Sequence, residues 1–339
     1  MGPQASKILA LLSYLGAATF FLLAYQGVIR TATTHANVHI GNQLMYFTDI
    51  MLSFKGKKGP SSSPSPSKDR PLSTWLLIAA VPFFDLVGAM TTFLGIGAAG
   101  GPAFAALFSS ILPITAGMSY VTMGARLSPG QAAGVAVVCL ALVIKGYGAV
   151  AAGIPLWGGF LAVTSASSYA ARSVLMQAAK SKKKPPTSEE WGKYIGAAGM
   201  AFYGLYNAVY VFPRFDELVA DPFDKASRAA QAVQGKGLSV WFAEVIYVHA
   251  ALIAMRVWFT KSQFECLDKA GANALSLAGS LRTATVGVIS HGLYCGTLEG
   301  SCMDWTSGLV SAMLAVGGVV FAAAPAAAPV KGGREKKDF

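Results

Sequence analysis

The chain has 339 residues, 54% of them hydrophobic and 13% charged, about half the charge of an ordinary soluble domain. A water-soluble globule is excluded by that balance, and four cysteines without a CxxC spacing exclude a disulfide-rich scaffold and a thiolate metal centre. The net charge of +11 is concentrated in a few short stretches, the pattern of basic loops beside a membrane rather than of a nucleic-acid-binding face.

Apolar runs of about 20 residues, long enough to cross a bilayer core, recur along the chain. Nine spans are predicted near 7–29, 73–96, 101–123, 128–150, 154–179, 194–212, 238–259, 271–294 and 304–324. The first exceeds a signal-peptide core and is read as a retained helix. Residues 39–54 hold His, Asn and Asp and are predicted as a short interfacial helix rather than a tenth span. The stretch 55–71, rich in Ser, Pro and Lys, reads as a disordered basic loop. A second basic connection runs through residues 180–193, an acidic one through 214–237, and a basic tail through 325–339. The spans fall into a first membrane half over 1–150 and a second over 154–324.

Eighteen Lys and Arg fall on the side of the Ser/Pro loop and the tail, against five on the other. The bias predicts a cytosolic C-terminus. It places Cys295 and Cys302 on the opposite side, as a small bridge or as two free thiols.

The triplets 73–150 and 238–324 align weakly. Gly134 stands opposite Gly308 and Leu140 opposite Leu314, and Asp85 and His249 lie halfway along the first helix of each. An odd number of helices between them makes the triplets opposite in orientation, the arrangement of inverted transporter repeats.

Three stretches carry a family resemblance: VPFFDLVGAMTTFLGI (81–96), ILPITAGMSYVTMGARLSPGQAAGVAVVCLALVIKG (111–146) and LAGSLRTATVGVIS (277–290). They resemble the drug/metabolite transporter superfamily, in its nucleotide-sugar-transporter-like, EamA-type and chloroquine-resistance-transporter-like branch. The resemblance implies an all-α polytopic membrane protein of nine to ten transmembrane helices in two inverted repeats. It also implies a transporter of small solutes. The first helix here is similar to the family's second. Gly279 stands where relatives often carry Asp before Ser-Leu-Arg, and Phe108 lies near a position often polar in them.

A charge at the bilayer centre costs about 2.5–3.5 kcal/mol on insertion scales, so each intramembrane ionisable group needs a partner, water or a purpose. Lys145, Arg172 and Arg256 are predicted within snorkelling reach of headgroups. Asp85, His249 and Arg282 lie nearest the midplane, and Glu244 about six residues into its helix. Arg282 is the leading substrate contact, because a guanidinium grips phosphate or carboxylate through two donors. Its alternative role is a static pair with Asp85, itself a partner or a proton-coupling carboxylate. His249 suits a proton-linked gate or a buried hydrogen bond. Tyr169, with the Ser and Thr around it, lines a polar cavity or serves close helix packing.

The expected function is alternating-access transport of a small anionic or polar organic solute, such as a nucleotide sugar, sugar phosphate or organic acid, across an organelle membrane. The alternative is a non-transporting membrane subunit or assembly factor on the same scaffold. No enzyme signature is present, and no metal or cofactor is called for. The expected partners are a small-molecule substrate and membrane lipids, without nucleic acid, and a homodimer or membrane complex is compatible with the sequence.

Overall fold

The structure, a computed structural model, describes residues 3–32, 43–51, 71–151, 156–180, 182, 185–235, 237–296, 302–303 and 305–324. The expected Ser/Pro loop at 55–70 and the tail from 325 lie outside them. The described residues form helices without a strand: α1 (Pro3–Ala32), α2 (43–51), α3 (Leu72–Ala99), α4 (Gly101–Phe108), α5 (Ile111–Met123), α6 (Pro129–Ala151), α7 (Leu156–Lys180), α8 (Ser188–Tyr206), α9 (Asp221–Gln234), α10 (Leu238–Tyr294) and α11 (Trp305–Ala323). Among them, seven helices are long and apolar enough to cross a membrane. Large apolar side chains such as Phe83, Val143, Phe160 and Val319 are more than half exposed. In water such a surface would be an aggregation liability, and in lipid it is solvated.

Local chemistry explains where helices begin and end. The expected 101–123 span is broken at Ser109 and Ser110, because Pro113 has no N–H for the Ser109 carbonyl. Ser280 donates to that oxygen from α10 at 3.4 Å. The sixth span starts earlier than hydropathy suggests. Thr187 accepts from the Glu190 N–H at 3.2 Å while the Glu190 carboxylate accepts from the Thr187 N–H at 2.8 Å, a capping box. Part of the acidic 214–237 connection is helical: α9 ends where Gly235 turns left-handed at φ 61°. Its Phe223 packs on Trp241 of α10, ring centroids 4.6 Å apart.

Helix α10 covers both the 238–259 and 271–294 spans. Its residues between 259 and 271 stay helical, and the chain breaks at Gly271, φ 84° and ψ 176°, a conformation open to glycine alone. The arms are called α10a and α10b below. Gly100 makes a similar break between α3 and α4, at φ 77° and ψ 156°.

Helices of the two halves pack against each other throughout: α1 along α10, α3 along α7, and α6 on α11. Small residues allow backbone contact where lipid provides no hydrophobic drive. A Cβ on Gly134 would lie 2.6 Å from the Gly317 carbonyl and 2.7 Å from the Phe321 N. Backbone cannot move aside cheaply, so Gly134→Val should destabilise the α6–α11 contact by about 1–3 kcal/mol, seen as a lower melting temperature of the purified protein.

The structure joins Cys295 and Cys302 in a disulfide, the first of the two states left open by the sequence.

Candidate functional site

Helix α2 is more than an interfacial ornament. Met45, Tyr46 and Asp49 fall on one helical face, and all three are buried. The face seats on α8 because Gly196 and Gly199 leave room for Ile50 and Tyr46. Asp49 thereby reaches Arg256 of α10a at 3.1 Å, and Thr260 donates to its other oxygen at 3.2 Å. Arg256, 7% exposed, does not snorkel; it is held inside the bundle by a carboxylate and by the rings of Phe21, Tyr46 and Phe259, each within 6 Å of its guanidinium carbon.

Asp85 of α3 pairs with Arg172 of α7 at 2.9 Å, and the two side chains are 1% and 2% exposed. Tyr46 donates to the second Asp85 oxygen at 2.8 Å. The alternative role of Arg282 as a static partner of Asp85 is therefore excluded, since Arg172 takes that place, and Arg172 is buried rather than snorkelling. Tyr46 touches both ion pairs, bonding Asp85 and lying beside Arg256. Lys145, also buried, donates to Ser307 of α11 at 2.6 Å.

Arg282 of α10b is different. It is 6% exposed, its guanidinium stands over the Phe108 ring at 4.7 Å, and its Nε has no hydrogen-bond partner. Among the described residues, no carboxylate lies within ion-pair distance of it. Gly279, three residues earlier on the same helix, supplies none. Phe108 is placed there because α4 ends at the Pro113 break, and α10b is held against α5 by Ser276 donating to Thr115 at 2.7 Å.

Arg282 lines a central cavity of about 40 Å³, room for roughly three waters. Tyr14 and Phe21 of α1, Phe104 and Phe108 of α4, Tyr169 of α7, and Phe259 of α10a supply its ring-bearing walls, and Gln263 and Gly279 also line it. A second lobe of about 20 Å³ shares Phe21, Thr92, Tyr169 and Arg256 and extends to Tyr46. A solute larger than a few waters exceeds the free space of this conformation.

Of the five residues singled out from the sequence, Arg282 and Tyr169 line this cavity together. Asp85 lies beyond its wall, bonded to Tyr46, which faces the second lobe. His249 and Glu244 line neither lobe. The ring nitrogen Nδ1 of His249 is 2.8 Å from the Val245 carbonyl of its own helix. Sequence reasoning missed Asp49, although its spacing from Met45 and Tyr46 marks a buried helical face. It also missed Gln263, which lies beyond the span assigned to α10a.

No family model and no curated protein matches the chain. A solved crystal structure of another protein is similar in fold, with a TM-score of 0.56 over 93% of this chain and 98% of that chain, at 17% sequence identity.

Proposed function

We propose that the protein is a secondary transporter in which Arg282 binds the anionic group of a small organic solute inside the membrane. One observation carries the reading. Among the described residues three arginines are buried in the bundle, Arg172 and Arg256 have carboxylates, and Arg282, on the cavity wall, has none. An unpaired buried cation is costly, and an arriving anion removes that cost, which is how binding energy is concentrated at one residue.

The wider plan is consistent. Leu238–Leu293 is 56 residues long, about 84 Å of helix, enough for two crossings with the bend at Gly271. Counting its arms separately turns the seven apolar helices among the described residues into eight crossings, and α7, 25 residues long but more polar, is the proposed ninth. The sequence of long helix, glycine break, second helix, loop and third helix occurs in 72–151 and again in 238–323. These are the two triplets whose inverted relation the sequence predicts, with the binding site between them. The narrow cavity suits an occluded stage of alternating access. The Lys and Arg bias supports a cytosolic C-terminus, and the disulfide then faces the oxidising side.

The test is a thermal-shift panel on the detergent-purified protein, using monocarboxylates, dicarboxylates, sugar phosphates and nucleotide sugars, with amines as controls. An anion at 100 times its Kd stabilises the folded state by about 2.7 kcal/mol. Stabilisation by a subset of anions and by no amine is expected. Silence across all anions contradicts the reading and favours the non-transporting subunit.

A further inference from the structure

We infer that the solute is an aromatic monocarboxylate, a flat apolar body carrying one carboxylate, rather than a sugar phosphate or nucleotide sugar. The inference rests on the transporter reading above and narrows its substrate. Among the described residues the cavity offers one uncompensated cation, Arg282, because Arg256 on its wall is already held by Asp49 and the nearby Arg172 by Asp85. One guanidinium balances one carboxylate. A dianionic phosphate would leave a buried negative charge in excess, at a cost of several kcal/mol.

The walls exclude a polyol for a separate reason. Two ring clusters face the cavity: Tyr14, Phe21 and Phe259, with centroids 5.5 and 5.3 Å apart, and Phe104, Phe108 and Tyr169, at 5.8 and 5.9 Å. Rings pack against rings in offset or edge-on geometry with about 0.5–1.5 kcal/mol beyond area burial. The cavity's small hydroxyls have already used their protons: Thr92 donates to the Gly88 carbonyl at 2.8 Å and Ser173 to the Tyr169 carbonyl at 2.9 Å, so neither donates to a solute oxygen. Gln263 adds one buried oxygen without a partner among the described residues, an acceptor for a donor on the solute. A hexose carries several hydroxyls, and each one left unpaired costs about 1–3 kcal/mol.

The experiment is a set of binding titrations on the full-length detergent-purified protein with phenylacetate, acetate, phenylacetamide and glucose 6-phosphate. The same titrations are run on Arg282→Met and on Phe259→Leu, which keeps an apolar wall. Phenylacetate should bind at least tenfold more tightly than acetate, which lacks the ring, and than phenylacetamide, which lacks the charge. It should also bind at least tenfold more tightly than glucose 6-phosphate. Arg282→Met should lose all discrimination between phenylacetate and its amide, while Phe259→Leu weakens phenylacetate severalfold and leaves acetate unchanged. Tighter binding of glucose 6-phosphate, lost in Arg282→Met, overturns the inference and leaves the anion-transporter reading standing. Absence of any Arg282-dependent anion binding overturns both.

Discussion

Replacing Arg282 with Met should make the ligand-free protein more stable and abolish its response to organic anions. The two effects have one cause. Arg282 is 6% exposed, with no carboxylate at hand among the described residues. On insertion scales that position costs about 2.5–3.5 kcal/mol. The contact with Phe108 at 4.7 Å returns about 1–2 kcal/mol as a desolvated cation–π pair. Methionine fills a similar channel without charge and adapts to irregular space. The balance predicts a gain of about 1 kcal/mol in the absence of ligand, measurable as a higher melting temperature. In the parent protein a saturating anion adds about 2.7 kcal/mol at 100 times its Kd, and in Arg282→Met it should add nothing. A residue whose loss helps the fold and removes binding is held in place for function. A large drop in stability on Arg282→Met would instead make it a structural group.

Asp85→Ala should act in the opposite direction and strongly. It leaves Arg172 unpaired at 2% exposure and removes the acceptor of the Tyr46 hydroxyl. Breaking a buried pair by deleting one partner costs about 3–5 kcal/mol. The double variant Asp85→Ala with Arg172→Met should recover most of that loss, because neither charge remains. Tyr46 also lies beside Arg256, so the single variant should loosen the second lobe of the cavity too. Thermal melts of the parent, both single variants and the double variant form the cycle that checks this. Equal, additive losses would mean that Asp85 and Arg172 do not depend on each other.

These contrasts show which parts of the molecule were legible in its sequence. Hydropathy placed the helices well: a span near 73–96 became Leu72–Ala99, and one near 304–324 became Trp305–Ala323. Apolar length is a property of a single segment, and lipid enforces it. Interior Pro113 marks its break in the sequence itself, whereas the Thr187 capping box and the helical bridge to Gly271 were not drawn from hydropathy, because each depends on a few backbone hydrogen bonds. Charge partners were the least legible feature. Depth along a helix says that a charge is buried, and helical phase says which side it faces, but neither identifies what lies opposite. Arg172 and Arg256 were assigned to headgroups for that reason, while their carboxylates sit on α3 and on the short α2. Asp49 escaped notice because its polar neighbours kept 39–54 out of the spans. Arg282 and Tyr169 stand out in the sequence as a midplane arginine and a tyrosine on a hydroxyl-rich helix, and the structure places both on the wall of one cavity.

Counterflow in proteoliposomes tests most directly whether Arg282 binds an anion during transport. Vesicles reconstituted with the parent protein and preloaded with the anion that stabilises it most in the thermal-shift panel should accumulate the labelled anion transiently. Vesicles carrying equal amounts of folded Arg282→Met should match protein-free vesicles. Counterflow by Arg282→Met at the parental rate would contradict the account.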